Sequence, residues 1–187
     1  MAEIKKQFKH ISESQLTITE LMLPSHSNFS GKIHGGHILN LMDQIAFACA
    51  SKHSGNYCVT ASVNKVDFLN PIEVGELVTL KASVNYTGRT SMVVGLRVVS
   101  ENIRTGKIKH CNSSYFTMVA KDDNGKSTLV PGIILTSKEE MRRFARSIVR
   151  QEQGKKRSSK FNSKIFEIED YKHLFEGSNS KIDLKQG

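Results

Sequence analysis

The chain has 187 residues, an apolar share of 38% and a net charge of +9, which suits one domain with a real core plus an appendage. Its three cysteines form no CxxC pair, which argues against a disulfide framework or a cysteine zinc site and indicates a reducing compartment. The N-terminus lacks the apolar run of a signal peptide, and no stretch has the roughly 18 apolar residues of a membrane span. A cytoplasmic protein without a transmembrane segment is therefore expected.

The elements before residue 55 are a strand, a loop and a helix. Residues 1–15 are polar and expected to be loosely held, and Leu16 to Leu23 reads as a short strand ended by Pro24. A loop rich in Ser, Asn and Gly follows over residues 25–36. The pattern over His37 to His53 predicts a helix with two adjacent apolar stripes, which favours a buried position for the whole helix: Ile38, Leu41, Ile45 and Ala48, then Leu39, Met42, Ala46 and Cys49.

Four strands are predicted after the helix, joined by short links: residues 57–69, 77–87, 92–100 and 108–120. Consecutive strands with short connections indicate an antiparallel meander. One early helix followed by such a meander predicts an α+β domain. A single sheet curled around the helix would cover the helix's apolar stripes.

The C-terminal part is amphipathic and then basic. Residues 137–153 predict a helix capped by Ser137, with the apolar stripe Met141, Phe144, Ala145 and Ile148. From Gly154 the composition is that of a flexible basic segment. Residues 137–187 carry a net charge of +5, against +4 for residues 1–136, which favours a polyanionic partner or a solvated tail without one. The predicted organisation is a flexible N-terminus (1–15), one domain (16–136) and a C-terminal extension (137–187).

Asp43 is the first candidate functional residue because it interrupts the most apolar helix of the chain. A carboxylate is costly to bury without a partner. It is therefore either a structural group hydrogen-bonded to a neighbouring element or a general base or nucleophile at a buried site. The helix pattern alone leaves both interpretations open.

Three further groups of residues are candidates. His34, Gly35 and Gly36 precede the helix, where free N–H groups suit a phosphate or an oxyanion and where His34 equally suits a cap. Asn28 lies in the loop before them and is by composition a turn former. Two loops between strands combine an arginine with hydroxyls or glycine, a pattern that suits phosphate but is also common in surface turns: Gly88, Arg89, Thr90 and Ser91, and more weakly Arg104.

Several kinds of site are excluded by the sequence. The Gly125 to Thr128 segment lacks the earlier glycine of a phosphate loop, and no GxSxG motif is present. The seven histidines show no metal-ligand spacing with carboxylates or cysteines. No RNA-binding aromatic signature occurs. The sequence therefore predicts no metal, no cofactor and no specific nucleic-acid partner.

The segment from Asn28 to Gly36, followed by His37 to Asp43, resembles the hotdog-fold acyl-CoA thioesterases of the cytosolic acyl-CoA hydrolase type. Three later segments are also similar to that family, namely residues 66–75, 84–92 and 112–120. The resemblance covers about residues 16–120 in the same order. It does not extend to residues 137–187.

The resemblance implies an antiparallel sheet curled around the helix, paired as a double hotdog dimer and assembled further as a trimer of dimers. Asp43 of one chain would face Asn28 of the other and act on water or attack the thioester as a nucleophile. Gly35 and Gly36 would polarise the carbonyl, with His34 beside them. The loop from Gly88 to Ser91, with Arg104, would lie near the phosphates of coenzyme A, which is part of the substrate and not a separate cofactor.

Three rival functions remain from the sequence. A hotdog hydratase or dehydratase would pair a catalytic histidine with the helix carboxylate, but His37 and Asp43 lack the i,i+4 spacing of helix neighbours. A CoA-binding regulator without turnover would not need both Asn28 and Asp43. A nucleic-acid or membrane-surface binder would act through the basic residues 142–160.

Overall fold

The computed structural model describes residues 7–159, which form an α+β fold. None of the described helices has the length and apolar content needed to cross a membrane. In chain order the elements are β1 (Phe8–His10), β2 (Leu16–Leu21), α1 (Gly35–Ser54), β3 (Tyr57–Val63), β4 (Glu76–Thr87), β5 (Ser91–Asn102), β6 (Lys107–Lys121), β7 (Gly132–Ile134) and α2 (Lys138–Ser159).

Five strands form one antiparallel sheet in the order β2-β4-β5-β6-β3. The three longest strands, β4, β5 and β6, are consecutive hairpins, as the short links predict. The sheet curls around α1, and the main core lies between that helix and the sheet. The predicted hotdog architecture is therefore confirmed, with β2 and β3 at the two edges of the sheet.

Helix α1 has defined caps at both ends. His34 is its N-cap and accepts a hydrogen bond from the Gly36 amide, and Gly55 ends it in the left-handed conformation with φ of 72°. The face toward the sheet is buried and carries these residues: Ile38, Leu41, Met42, Ile45, Ala46, Cys49 and Ala50. The prediction that the entire helix is buried is wrong for a single chain. Its other face exposes Leu39 (37%) and Phe47 (38%), because one sheet can cover only one side of a helix.

Two predicted boundaries differ from the structure. The strand predicted over residues 57–69 ends at Val63, and an extended segment without regular pairing crosses from there toward β4. Residues 1–15 were expected to be loosely held, but in the described part β1 pairs in parallel with β7 and Ile11 is buried. A pairing between two segments more than 120 residues apart leaves no local pattern in the sequence.

Helix α2 begins where predicted and extends to Ser159. The hydroxyl of Ser137 accepts a hydrogen bond from the Glu140 amide at 3.2 Å, which confirms the predicted cap. In the predicted apolar stripe, Phe144 packs against Tyr86 of β4 with ring centroids 5.4 Å apart, whereas Met141 is half exposed. Among the described residues, one compact unit extends up to Ile148, and the remainder of α2, residues 149–159, belongs to a second unit. The predicted basic segment from residue 160 lies outside the described residues.

His53 is fully buried near the end of α1, and its burial makes the fold less stable in acid. Its Nε2 donates to the Pro131 carbonyl oxygen and its Nδ1 accepts from the Ser14 hydroxyl, both at 3.2 Å. Burial keeps the pKa of His53 below its usual 6.5, despite the opposing effect of the Pro131 carbonyl. The unfolded chain binds the proton on His53 more readily than the folded chain does. The free energy of unfolding therefore has its highest value, as far as His53 is concerned, above about pH 6.5, and it decreases as the pH falls below that value.

We therefore expect the melting temperature to fall on acidification from pH 7.5 to 5.5. The contribution of His53 has a limiting slope of about 1.4 kcal/mol per pH unit. The difference between the wild type and His53→Gln, measured by thermal denaturation across that range, isolates this residue from the other histidines. Parallel pH profiles of the two proteins would exclude His53 as the cause.

Candidate active site

Asp43 begins the third turn of α1 on the face turned away from the sheet. Its Oδ1 accepts a 2.6 Å hydrogen bond from the Thr60 hydroxyl of β3, and that hydroxyl also lies 3.5 Å from the sulfur of Met118. Both Asp43 and Thr60 are exposed in the single chain. The expected burial of Asp43 is therefore wrong at the level of one chain. The short bond fixes the carboxylate at the surface, where its second oxygen is open to water.

Asn28 organises the loop before α1. Its Oδ1 accepts hydrogen bonds from the Ser30 amide (3.0 Å), the Ser30 hydroxyl (2.7 Å) and the Lys32 amide (3.2 Å). The predicted role as a turn former is thus present in the structure. No acceptor within residues 7–159 takes the amide hydrogens on Nδ2, and the side chain is exposed. Turn formation therefore leaves a positioned donor that faces outward.

The start of α1 is arranged by His34 and two glycines. His34 Nδ1 accepts from the Gly36 amide at 3.2 Å, so the predicted cap role of His34 is confirmed. The His37 amide bonds to the His34 carbonyl oxygen at 3.0 Å. Gly35 retains an outward N–H group of the first turn. A Cβ at Gly35 would lie 3.2 Å from the Phe68 ring, so a larger residue here would require that ring to shift by a few tenths of an ångström.

Within one chain, the start of α1 and Asp43 are too far apart to act on the same thioester group. Asp43 follows Gly35 by eight positions, which corresponds to about 12 Å along the helix axis. A nucleophile must approach within about 3 Å of the carbonyl carbon it attacks. The two groups can act on one thioester only if they come from different chains.

The predicted phosphate loops lie at opposite ends of the sheet. Gly88, Arg89 and Thr90 turn between β4 and β5, where the Gly88 amide donates to the Ser91 carbonyl oxygen at 2.7 Å. Thr60 is paired with Met118, and Met118 with Met92. Two strand spacings, about 10 Å, therefore separate Thr60 from the strand that leaves this turn.

Arg104 lies in the turn between β5 and β6, at the far end of β5. The 12 residues of β5 span about 36 Å. A single chain therefore does not bring Arg104 to the loop that begins at Gly88, and the predicted CoA-binding set does not form one cluster. Arg89 and Arg104 are both exposed.

A cavity of about 330 Å³ lies between the sheet and α2, away from Asp43 and Asn28. Lys81 and Arg97 face each other on neighbouring strands, and Glu139 pairs with two of the helix arginines. Part of the basic surplus of the C-terminal region therefore lines this cavity: Arg142, Arg143 and Arg146.

An exposed apolar surface surrounds the Asp43–Thr60 pair. Phe47 and Tyr57 contact edge to face with centroids 5.5 Å apart, and Tyr57 (64%) and Val63 (47%) are exposed on β3. In the five-stranded sheet β3 pairs with β6 alone, so its other edge is open. Apolar side chains beside an open strand edge are typical of a surface that another chain covers.

Thr60 is the site residue that the sequence did not reveal. It lies 17 positions after Asp43, on a different element, within a stretch of β-branched residues that suits any strand. The curl of the sheet brings the two side chains together. The polar side chain of Thr60 was the one feature of the sequence that could have indicated a functional role, and alone it is a weak indication.

The sheet curled around one helix defines a hotdog fold, and the carboxylate anchored on that helix is its candidate catalytic group. Residues 30–107 match the family model described as the thioesterase superfamily. Protein VdlD of Helicobacter pylori is 43% identical over 74% of this chain and 79% of its own length. The uncharacterized acyl-CoA thioester hydrolase YkhA of Bacillus subtilis is 33% identical over 78% of this chain and 84% of its own length. The human cytosolic acyl coenzyme A thioester hydrolase is 30% identical over 72% of this chain and 36% of its own length.

Solved structures agree with these relatives. An apo hexameric acyl-CoA thioesterase is 39% identical, with a TM-score of 0.81 over 83% of this chain and 99% of its own. The acyl-CoA hydrolase of Staphylococcus aureus, in complex with butyryl-CoA, CoA and CoA disulfide, is 32% identical, with a TM-score of 0.76 over 89% of this chain and 96% of its own. That hydrolase was also solved as variants Asn28Ala, Asp43Ala and Thr60Ala, whose residue types and numbers coincide with Asn28, Asp43 and Thr60 of this chain.

The chain belongs to the thioesterase superfamily. It is an acyl-CoA thioesterase, a hydrolase of the thioester bond between an acyl group and coenzyme A. The sequence-based predictions of fold, family and enzyme class are thereby confirmed.

Proposed function

We propose that the chain hydrolyses fatty acyl-CoA to the free acid and CoA through attack of a water molecule activated by Asp43. The observation that carries this proposal is the exposed Asp43 carboxylate, held by Thr60 and open on its other side. The water oxygen would bond to the carbonyl carbon while a proton passes to Asp43. The C–S bond then breaks, and the proton is returned to the departing thiolate of CoA.

Asn28 and Gly35 of the partner subunit would complete the site. The Nδ2 group of Asn28 is a positioned donor for the water or the thioester, and the N–H of Gly35 at a helix N-terminus suits the developing oxyanion. The axial separation of about 12 Å within one helix supports a site shared between two chains. His34 would act through its cap on Gly36 and not on the substrate.

The assembly that follows is a double hotdog dimer, and a trimer of such dimers is proposed as the complete enzyme. The exposed apolar surface around β3 and the hexameric neighbour support self-association. The loop from Gly88 to Ser91 is proposed to bind the CoA phosphates, because it lies at the same end of the sheet as Thr60. Arg104 would contribute only from a different chain. A cytoplasmic location is proposed, in line with the name of the human relative.

The test is release of free CoA thiol from a series of acyl-CoA substrates from acetyl to palmitoyl, with enoyl-CoA hydration measured in parallel. Turnover that increases toward longer acyl chains, without hydration, is the expected result. Turnover confined to short chains would refute the fatty acyl preference. Hydration without thiol release would favour the hydratase, and binding without either would favour a regulator.

Thr60→Val should lower kcat about tenfold with little change in KM. The substitution keeps the shape of the side chain and removes the hydroxyl that holds the Asp43 carboxylate, a loss worth about 1–1.5 kcal/mol. Steady-state kinetics of wild type, Thr60→Val and Thr60→Ser measure the effect, with Ser expected to retain most of the rate. Equal loss in both variants would show that the methyl group and not the hydroxyl matters.

A further inference from the structure

Three potential metal ligands meet beside the loop that carries Asn28. Glu20 comes from β2, His26 from the 3-10 turn Pro24–His26, and His37 from the first turn of α1. Glu20 Oε1 lies 3.1 Å from His37 Nε2 and 3.9 Å from His26 Nδ1. One ligand atom of each residue lies within 4.8 Å of the others, and within residues 7–159 this is the only such group of three or more.

The donor set is that of a transition-metal site. Two imidazole nitrogens and one carboxylate oxygen are ligands that Zn²⁺ accepts at about 2.0–2.2 Å, with a fourth position left for water. Ligand atoms around a tetrahedral ion lie about 3.4 Å apart. The observed separations of 3.1 and 3.9 Å lie close to that value. Because the two rings are stacked with an interplanar angle of 20°, one ring would have to turn out of the stack for both nitrogens to point at the ion. We infer that Glu20, His26 and His37 form a binding site for a divalent transition-metal ion, with Zn²⁺ as its best-matched occupant.

The contacts and exposure of the cluster suit a cation. His26 Nδ1 accepts a 3.3 Å hydrogen bond from the Leu23 amide. The ion would replace that long hydrogen bond at Nδ1. The side chains of Glu20 (36%), His26 (20%) and His37 (21%) are partly exposed, so an ion can reach them from solvent. Glu20 supplies the negative charge that partly neutralises the ion.

The other potential soft ligands of the described chain are inaccessible. Cys49, Cys58 and Cys111 are buried and separate from the cluster. Burial raises the pKa of the Cys49 thiol to about 12, which disfavours the thiolate that would ligate a metal. Zinc bound by the folded protein is therefore expected at the histidine cluster.

The position of the cluster gives the ion a structural effect on the active site. The two histidines stack with ring centroids 3.9 Å apart and bracket the loop of residues 27–34. The His34 amide donates to the His26 carbonyl oxygen at 2.8 Å, which closes the base of that loop. An ion bound there ties β2, the Asn28 loop and the start of α1 together. It would stabilise the loop and take no part in attack on the thioester.

The test uses the untagged full chain, freed of metal with a chelator and titrated with ZnCl₂ by calorimetry, with bound zinc measured after gel filtration. We expect about one zinc per chain in the wild type. Affinity should fall about tenfold or more in Glu20→Gln and His37→Gln. His10→Gln, which alters an exposed histidine outside the cluster, should bind as the wild type does.

Thermal denaturation supplies an independent measurement. Zinc should raise the melting temperature of the wild type and of His10→Gln but not that of Glu20→Gln, because only the native cluster binds the ion. Absence of retained zinc in the wild type would overturn the inference, whatever the variants do. So would equal zinc binding by the wild type and His37→Gln.

Discussion

Replacing Asp43 with Ala is expected to lower kcat for acyl-CoA hydrolysis by about 10³-fold, since a positioned general base contributes on the order of 10²–10⁴ in rate. The substitution removes the carboxylate that would take the proton from water and leaves the sheet and core unchanged, because Asp43 lies on the exposed face of α1. KM should change little, since the carboxylate acts in the chemical step. The measurement is thiol release at saturating substrate, with folding checked by circular dichroism.

Gln44→Ala is the matched control for this substitution. Gln44 is the next residue on α1 and is also exposed, so its removal tests the effect of altering this helix face without removing the base. Its kcat should stay within about twofold of the wild type, as expected for an exposed position outside the reacting groups. Similar losses in Gln44→Ala and Asp43→Ala would assign the effect to the surface of the helix. A wild-type rate in Asp43→Ala would remove this residue from the mechanism.

Phe47→Asp is expected to separate the subunits and abolish hydrolysis together. Phe47 lies on the same exposed face of α1 one turn after Asp43 and packs against Tyr57 of the open edge strand. A charge placed in an apolar contact between chains costs several kcal/mol, since it is buried without a partner. Light scattering should show a monomer, and the activity should fall by more than about 10²-fold because each site needs two chains.

Ile103→Asp is the control for that experiment. Ile103 is 54% exposed in the turn between β5 and β6, far from β3, and the same apolar-to-acidic change there should leave assembly and rate intact. A Phe47→Asp monomer with full activity would show that one chain contains the whole site.

The sequence predicts much of this fold because its strongest patterns are local. Strict alternation identifies β4, and the short turn after Thr87 leads directly into β5. The helix predicted over residues 37–53 spans Gly35–Ser54, so its predicted ends lie within two residues of the observed ones. The pairing of β1 with β7 was missed because residues 8–10 and 132–134 meet only in three dimensions.

The candidate site is predictable only in part, for a related reason. Asp43 stands out as a carboxylate in an apolar helix, but its sequence neighbours suggest burial, whereas the side chain lies on the face that one sheet leaves uncovered. The Asp43–Thr60 pair and the cluster of Glu20, His26 and His37 each consist of residues that only the fold brings together from separate elements. An apolar stripe is the same whether it packs on the chain's own sheet or on another subunit, so the pattern does not distinguish the two.

The most direct test of a site shared between subunits is hydrolysis by mixed assemblies of two inactive chains. Asn28→Ala and Asp43→Ala, carrying different tags, are co-expressed and the mixed species is compared with each variant alone. A mixed dimer has one intact site, with Asp43 from one chain and Asn28 from the other, and one site that lacks both. Random pairing makes about half of the dimers mixed, so the unseparated population should recover about a quarter of wild-type activity. Restoration near that level is the predicted result. Activity no higher than that of the separate variants, in assemblies shown to contain both chains, would contradict a site formed by Asp43 of one chain and Asn28 of the other.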